Sequence, residues 1–515
     1  MYIDEQLRMY HIAIQLVKKA DYDVIHINKT GTEIWLEKYE RKTSTIVRLV
    51  HGGFDWKNHL KNDIARVFQQ VKAMKRTITG KYIHIHNVYI DSHEPVDDWE
   101  ILKKPMQLKE KNPPKMKVYY ITATNKEEEM PRFEREIGVS IDPMDEDQSG
   151  EENERQLYQY KDYLVDALQH KQQEVKHVFS FGKPLLSYAL IIANIFMFFQ
   201  LENNGGSTDI VNLIESGAKY NPAMIDGEWW RLVSSMFLHI GFLHLFMNML
   251  AVYYLGTAVE RIYGSVRFLI IYFLAGIGGG MASFAFTVNV SAGASGALFG
   301  LFGALLFFGM IHKKIFIQTM GTGLLFIIAI NIVFGFTVPQ IDNAAHLGGL
   351  MTGFLASALV HLPEKRRITH QLIALIVYVV VLVGLLVMGI GNNEQNPSYQ
   401  VMMIEELMET EDYEAVIEHA NKGLENPGEL EAHLLFQRSY AYIELNEGEL
   451  AKEDLERAIQ LDEDFPEAYY NLALIYQNRG EQDKAEEAVR MGYELMPDDP
   501  KFQELYEQIT GETLN

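Results

Sequence analysis

Apolar and polar positions divide this chain into three stretches of different rhythm. Up to about residue 125 the apolar residues come in short runs. Leu7, Ile12, Ile14, Leu16 and Val17 follow a helical period. Strand-like runs then occupy 24–27, 33–39 and 44–50, broken by turn residues such as Thr30-Gly31-Thr32. A helix around 64–74 and strands at 82–90 and 118–122 follow, which predicts a soluble α/β domain over 1–125. Residues 126–180 read as an acidic linker, disordered around Met144 to Glu152, and a helix from about Gln156 leading to a membrane.

The middle stretch is almost continuously apolar. Seven runs, roughly 184–201, 236–256, 267–287, 295–311, 315–336, 343–361 and 370–391, each approach the ~20 residues that cross a bilayer. Lys and Arg concentrate in alternate loops. Lys171, Lys176 and Lys183 precede the first run, and Arg261 and Arg267 follow the second. Lys313 and Lys314 follow the fourth, and Lys365, Arg366 and Arg367 the sixth. The positive-inside rule predicts a cytoplasmic N-terminal domain and an extracytoplasmic C-terminal one. Seven crossings require the same.

The last stretch, 393–515, has helical spacing and repeats. Ala451, Ala458, Leu461 and Pro466 recur as Ala485, Gly492, Leu495 and Pro500, and Tyr442 recurs as Tyr476. The common offset of 34 residues is that of tetratricopeptide repeats, paired helices that stack into an α-solenoid with a concave protein- or peptide-binding surface. A degenerate unit around 412–424 precedes the two clear ones.

Composition narrows the function. A net charge of -23 opposes nucleic-acid binding. The absence of cysteine removes disulfides, thiolate metal sites and a cysteine nucleophile. Mean hydropathy is -0.08, an average of unlike parts. The N-terminus has no basic region followed by an apolar run, so no cleavable signal is expected.

Candidate chemistry lies in the apolar stretch. The fourth run opens Gly293-Ala294-Ser295-Gly296-Ala297-Leu298-Phe299-Gly300, and the sixth opens Asn343-Ala344-Ala345-His346-Leu347-Gly348-Gly349. Alone, Ser295 reads first as a helix N-cap, and His346 reads also as a hydrogen-bonded packing residue. The predicted topology, however, puts both at the outer ends of inward-running helices. Gly296 and Gly300 face Ala345, Gly349 and Gly353 in small-xxx-small spacing, which lets two helices approach closely. A histidine beside a serine hydroxyl suits nucleophilic catalysis. In the second run, His244 and Asn248 share a face at similar depth and offer donors for an oxyanion. In the N-terminal domain His84 and His86 alternate on a strand, with Asp91 and His93 close behind, a candidate regulatory divalent-metal site or a solvated polar edge. The order α-β-β-β-α-β resembles nuclease-like cores. Thr45-Ile46-Val47-Arg48, however, stands where those enzymes carry Glu-x-Lys, so nuclease activity is not expected.

Together, Gly227-Glu228-Trp229-Trp230-Arg231, Phe237-Leu238-His239, His244 to Asn248, Glu260-Arg261, Gly293 to Gly296 and Ala345 to Gly349 resemble the motifs of rhomboid intramembrane serine proteases, in order. The resemblance covers a six-helix core over 181–365, with a seventh span over 366–392. The domains on either side are similar to those of Bacillus-type rhomboids. It implies that Ser295 is the nucleophile and His346 its general base, in a dyad without aspartate that needs no cofactor. It implies that His244, Asn248 and the Ser295 amide form the oxyanion hole, and that Phe299 packs on His346. Gly293 and Gly296 would leave room for substrate and for the His346 helix. Trp230 and Arg231 would shape the first outer loop, and Glu260 would brace a cytoplasmic turn. The expected protein is a multi-pass bacterial plasma-membrane endopeptidase acting on transmembrane substrates within the bilayer, with an adaptor that recognises transmembrane helices without proteolysis as the alternative.

Overall fold

The computed structural model describes residues 2–74, 78, 80, 82–107, 112–144, 149–338, 341–363 and 367–512. Lys365 and Arg366 of the orientation argument, and residues 145–148 of the expected linker, lie outside these. The chain folds as two compact units, one of residues 1–181 with 308–327, the other of 182–307 with 328–515.

The first unit is built on a six-stranded sheet in the order β1-β2-β3-β4-β6-β5. Helix α1 (Tyr2–Ala20) leads into β1 (Asp23–Ile27), β2 (Glu33–Glu40) and β3 (Thr43–His51), an antiparallel meander. Arg41 and Lys42, both at positive φ, make the tight turn between β2 and β3. Helix α2 (Lys57–Met74) then crosses over, so that β4 (Tyr82–Ile90) pairs parallel with β3, as β6 (Lys115–Ile121) does with β4. The two-residue β5 (Met106–Gln107) closes the edge. The pleat sorts β4 by parity. Ile83, Ile85 and Tyr89 meet α2 through Leu60, Ile64 and Val67. Val88 and Ile90 face the other layer with Leu7, Leu16, Phe133, Leu157 and Leu164.

That second layer departs from the sequence expectation. Residues 126–180 are not a spacer: α3 (Lys126–Ile137) and α4 (Gly150–Val178) cover the sheet beside α1. Phe133 and Leu164 are fully buried there, the apolar gain that offsets the ordering of so acidic a segment. Ser149 and Glu152 start α4 with a reciprocal capping box. At the doubtful nuclease position, Arg48 is buried and bonds Glu33, Asp63 and Asn87 at 2.7, 2.7 and 3.0 Å. A buried charge held this way is part of the core.

Besides several short helices, the described residues of the apolar stretch form seven longer ones, α5 (Leu185–Asn203), α6 (Phe242–Tyr263), α7 (Ser265–Phe286), α8 (Ser295–Ile311), α9 (Gly321–Thr337), α10 (Asn343–Val360) and α11 (Ile368–Glu394). Among the described residues five are long and apolar enough to cross a membrane alone. The short helix Lys313–Thr319 and α9 reach that length and apolarity only together, as a pair bent by 72° that is a broken span or a re-entrant loop; α8 is shorter, at 17 residues. The second span begins at 242 rather than 236 because Gly241, at φ 77°, starts the helix after an irregular turn. Ile376, Val380 and Val387 of α11 remain over 60% exposed, as lipid-facing side chains are in the absence of lipid.

The chain ends in α12 (Pro397–Glu409), α13 (Tyr413–Leu424), α14 (Glu431–Glu444), α15 (Gly448–Leu461), α16 (Pro466–Asn478), α17 (Gln482–Leu495) and α18 (Pro500–Thr510). The helix starts at 448 and 466 recur at 482 and 500, the offset read from sequence. Ala451, Ala458 and Ala485 are fully buried where paired helices touch. A side chain at Gly492 would press on Phe502 and Tyr469.

Candidate active site

Ser295 is the first residue of α8, and the turn before it is tightly determined. Gly293 sits at φ 140°, a conformation that L side chains rarely adopt, and a Cβ there would stand 2.7 Å from Cε1 of His244. Its amide donates to the Ser235 carbonyl at 2.9 Å. The Ala294 amide donates to Nε2 of the fully buried His239 at 3.4 Å.

His346 lies in the first turn of α10. Asp342 caps this helix, its side chain accepting the Ala345 amide at 2.8 Å. Its other carboxylate oxygen accepts the Ser283 hydroxyl. The helices then meet backbone to backbone. A Cβ on Gly349 would collide with the Gly296 carbonyl, one on Gly353 with Gly300, and one on Gly279 of α7 would stand 2.7 Å from the Ala345 carbonyl. The small-residue stripe thus performs the close approach read from its spacing. On this platform Phe299 stacks on the His346 ring, centroids 4.1 Å apart and planes within 10°. Nδ1 of His346 has no hydrogen-bond partner among the described residues. With Asp342 engaged by the helix cap and Ser283, the ring takes its orientation from Phe299 rather than from a carboxylate.

Helix α6 contributes His244 and Asn248. The Asn248 amide nitrogen donates to the His244 carbonyl at 2.9 Å, leaving one of its two N–H bonds for another acceptor. The His244 ring lies edge to face with His239, 5.2 Å between centroids.

A cavity of about 30 Å³ at Ser295 is lined by small residues, among them Ser235, Gly276, Gly280, Gly293 and Gly296. Lys219 lines it too, a residue that no sequence motif marks. It is almost fully buried and donates to the Thr287 and Asn289 carbonyls at 2.9 Å each. Asn221 donates to the Thr287 carbonyl as well, and to Oδ1 of Asn393 in α11 at 2.7 Å. Arg231 holds the same loop, donating to the Ile214 and Ala218 carbonyls and to Glu228, with Trp230 against its guanidinium. Glu260 is buried and caps α5, accepting the Leu186 and Ser187 amides and the hydroxyls of Ser187 and Ser265.

Among the described residues no group of three or more His, Asp or Glu side chains is placed to hold a metal ion, at His84, His86, Asp91 and His93 or elsewhere. His86 points into the packed layer, its Nδ1 3.1 Å from the Tyr119 hydroxyl and its ring beside Phe133. Asp91 lies past the end of β4, bonded to Ser92.

Comparison with known proteins gives three family matches: Rhomboid domain over 226–363, TPR repeat over 440–480 and Tetratricopeptide repeat over 466–499. The chain is 36% identical to Rhomboid protease GluP of Bacillus subtilis (strain 168) over 472 residues, 91% of each chain. It is 33% identical to the Putative rhomboid protease YdcA of the same organism over 36% of this chain and 92% of the relative. It is 45% identical to the mitochondrial RHOMBOID-like protein 6 of Arabidopsis thaliana over 25% of this chain and 42% of that one.

Proposed function

This chain belongs to the rhomboid family of intramembrane serine proteases, and from that premise we propose that Ser295 and His346 are its catalytic dyad. The supporting observation is the Phe299–His346 stack on a close, glycine-rich contact between α8 and α10, which fixes an imidazole over the helix that begins with Ser295. In this reading Oγ of Ser295 attacks the scissile carbonyl carbon while His346 takes its proton. The oxyanion is met by His244, Asn248 and the Ser295 amide. His346 then returns the proton to the leaving amine, and water releases the acyl group by the same steps reversed. None of these steps calls for a cofactor.

The substrates are transmembrane segments of other proteins, cut near the extracytoplasmic face. The cavity of about 30 Å³ has room for roughly one small group, which suits a small side chain at the cut. The N-terminal domain is cytoplasmic and the repeats extracytoplasmic, with the solenoid offered to a protein or peptide ligand.

The test is cleavage of a helix-destabilised transmembrane segment by detergent-purified protein and by Ser295→Ala and His346→Ala. Both variants are expected to lose cleavage by three orders of magnitude or more, about 4 kcal/mol of barrier. Undiminished cleavage by Ser295→Ala removes the assignment.

A further inference from the structure

The first unit holds a cavity of about 660 Å³ that the protease chemistry does not use. It opens where α1, β1, the last turns of α4 and the short helix Lys313–Thr319 meet. Its lining carries five basic side chains, His170, Lys171, His312, Lys313 and Lys314, and a single carboxylate, Asp23. Lys171 and Lys314 both bond the same oxygen, Oδ2 of Asp23. Two ammonium groups are therefore crowded on one carboxylate, with Lys313 adjoining and Glu37 of β2 acting on Lys314 from outside the lining, so that three lysines face two carboxylates. Burial, and then the neighbouring Lys314 ammonium, push Lys171 below the ordinary lysine value. An excess of ammonium groups in a half-buried cavity favours an anion there.

We propose that this cavity binds a phosphate group, with Lys171, Lys313 and Lys314 as its ligands. A phosphate carries about one to two negative charges and accepts several charge-assisted hydrogen bonds, which matches the unbalanced ammonium groups. Asp23 holds the lysines in place and competes with the ligand. The phosphate can belong to an anionic lipid headgroup or to a soluble anion. The lining includes Ile311, the last residue of α8, and Ile315, apolar groups against which acyl chains can lie. In the orientation proposed above, this is also the leaflet face where basic pockets meet anionic headgroups.

The test uses the full-length protein in detergent, titrated calorimetrically with short-chain phosphatidylglycerol and separately with inorganic phosphate. At least one probe is expected to saturate. Affinity should fall by about tenfold or more in Lys171→Gln/Lys314→Gln, persist in Lys171→Arg/Lys314→Arg and rise in Asp23→Asn. Binding of the lipid with phosphate as competitor assigns a headgroup; binding of phosphate alone assigns a soluble anion. Lack of saturation by either probe, or equal affinities in wild type and the glutamine pair, overturns the proposal. Thermal unfolding of each variant separates lost binding from lost fold. Ser295→Ala should bind as wild type does, so this result and the protease assignment stand or fall separately.

Discussion

At the scale of single residues, the site depends on side chains that only hold others. Phe299 touches no reacting atom in the proposed mechanism, yet its stack is what aims His346. Phe299→Ala should lower kcat by about 10- to 100-fold with little change in KM, since small misplacements of a catalytic group cost that much. Phe299→Tyr should keep most activity. Steady-state kinetics on a reconstituted substrate decide this, and an unchanged kcat in the alanine variant would refute it. His86, in the other unit, makes a pH prediction. Burial and the nearby Lys117 lower it to about 4, against an ordinary value of 6.5. Between these values the unfolded chain binds the proton and the folded one does not. Stability of the N-terminal unit should therefore fall as pH drops from about 6.5 towards 4, by up to ~1.4 kcal/mol per pH unit from this group. Hydrogen exchange of β4 amides across that range measures it, and His86→Phe should flatten the slope.

At the scale of elements, helices α7, α8 and α10 are joined through absent side chains. Gly349→Val would force α10 away from α8 and should destabilise the fold by about 1–3 kcal/mol. Gly384→Val in α11, where nothing lies within 4 Å of the added carbon, should be near neutral. Thermal unfolding in detergent compares the two, and equal shifts would contradict the packing argument. The same contrast explains what was legible in the sequence. The stripe Gly296, Gly300, Gly349 and Gly353 was readable because its spacing is local to each helix. So was the 34-residue repeat. The bond from Ser283 to Asp342, and Lys219 at the cavity, were not readable, because the partners are some sixty to seventy residues away and nothing local marks them. The surroundings of His86 were not readable for a related reason: strand periodicity puts His84 and His86 on one face, but nothing local tells that Phe133 of α3 packs beside His86 while His84 stays exposed.

At the scale of the whole molecule, seven spans put the two ends of the chain on opposite sides of the membrane in our reading. The absence of cysteine makes this easy to test. Lys61→Cys and Lys501→Cys each introduce one exposed thiol, in α2 and α18. A membrane-impermeant maleimide should label position 501 in intact cells and position 61 only after lysis. The reverse pattern would invert the topology and move the proposed cleavage to the cytoplasmic side. One link described above also has a mechanical side. Helix α11 runs without a break to Glu394, a few residues before the repeats, and Asn393 near its end is bonded to Asn221. Asn221 shares the Thr287 carbonyl with Lys219, and Lys219 lines the Ser295 cavity. A pull on the solenoid thus meets Asn393 at the near end of α11 and arrives, within three hydrogen bonds, at the wall of the cavity. A partner that loads the repeats under tension would therefore act on that wall without touching the protease core itself.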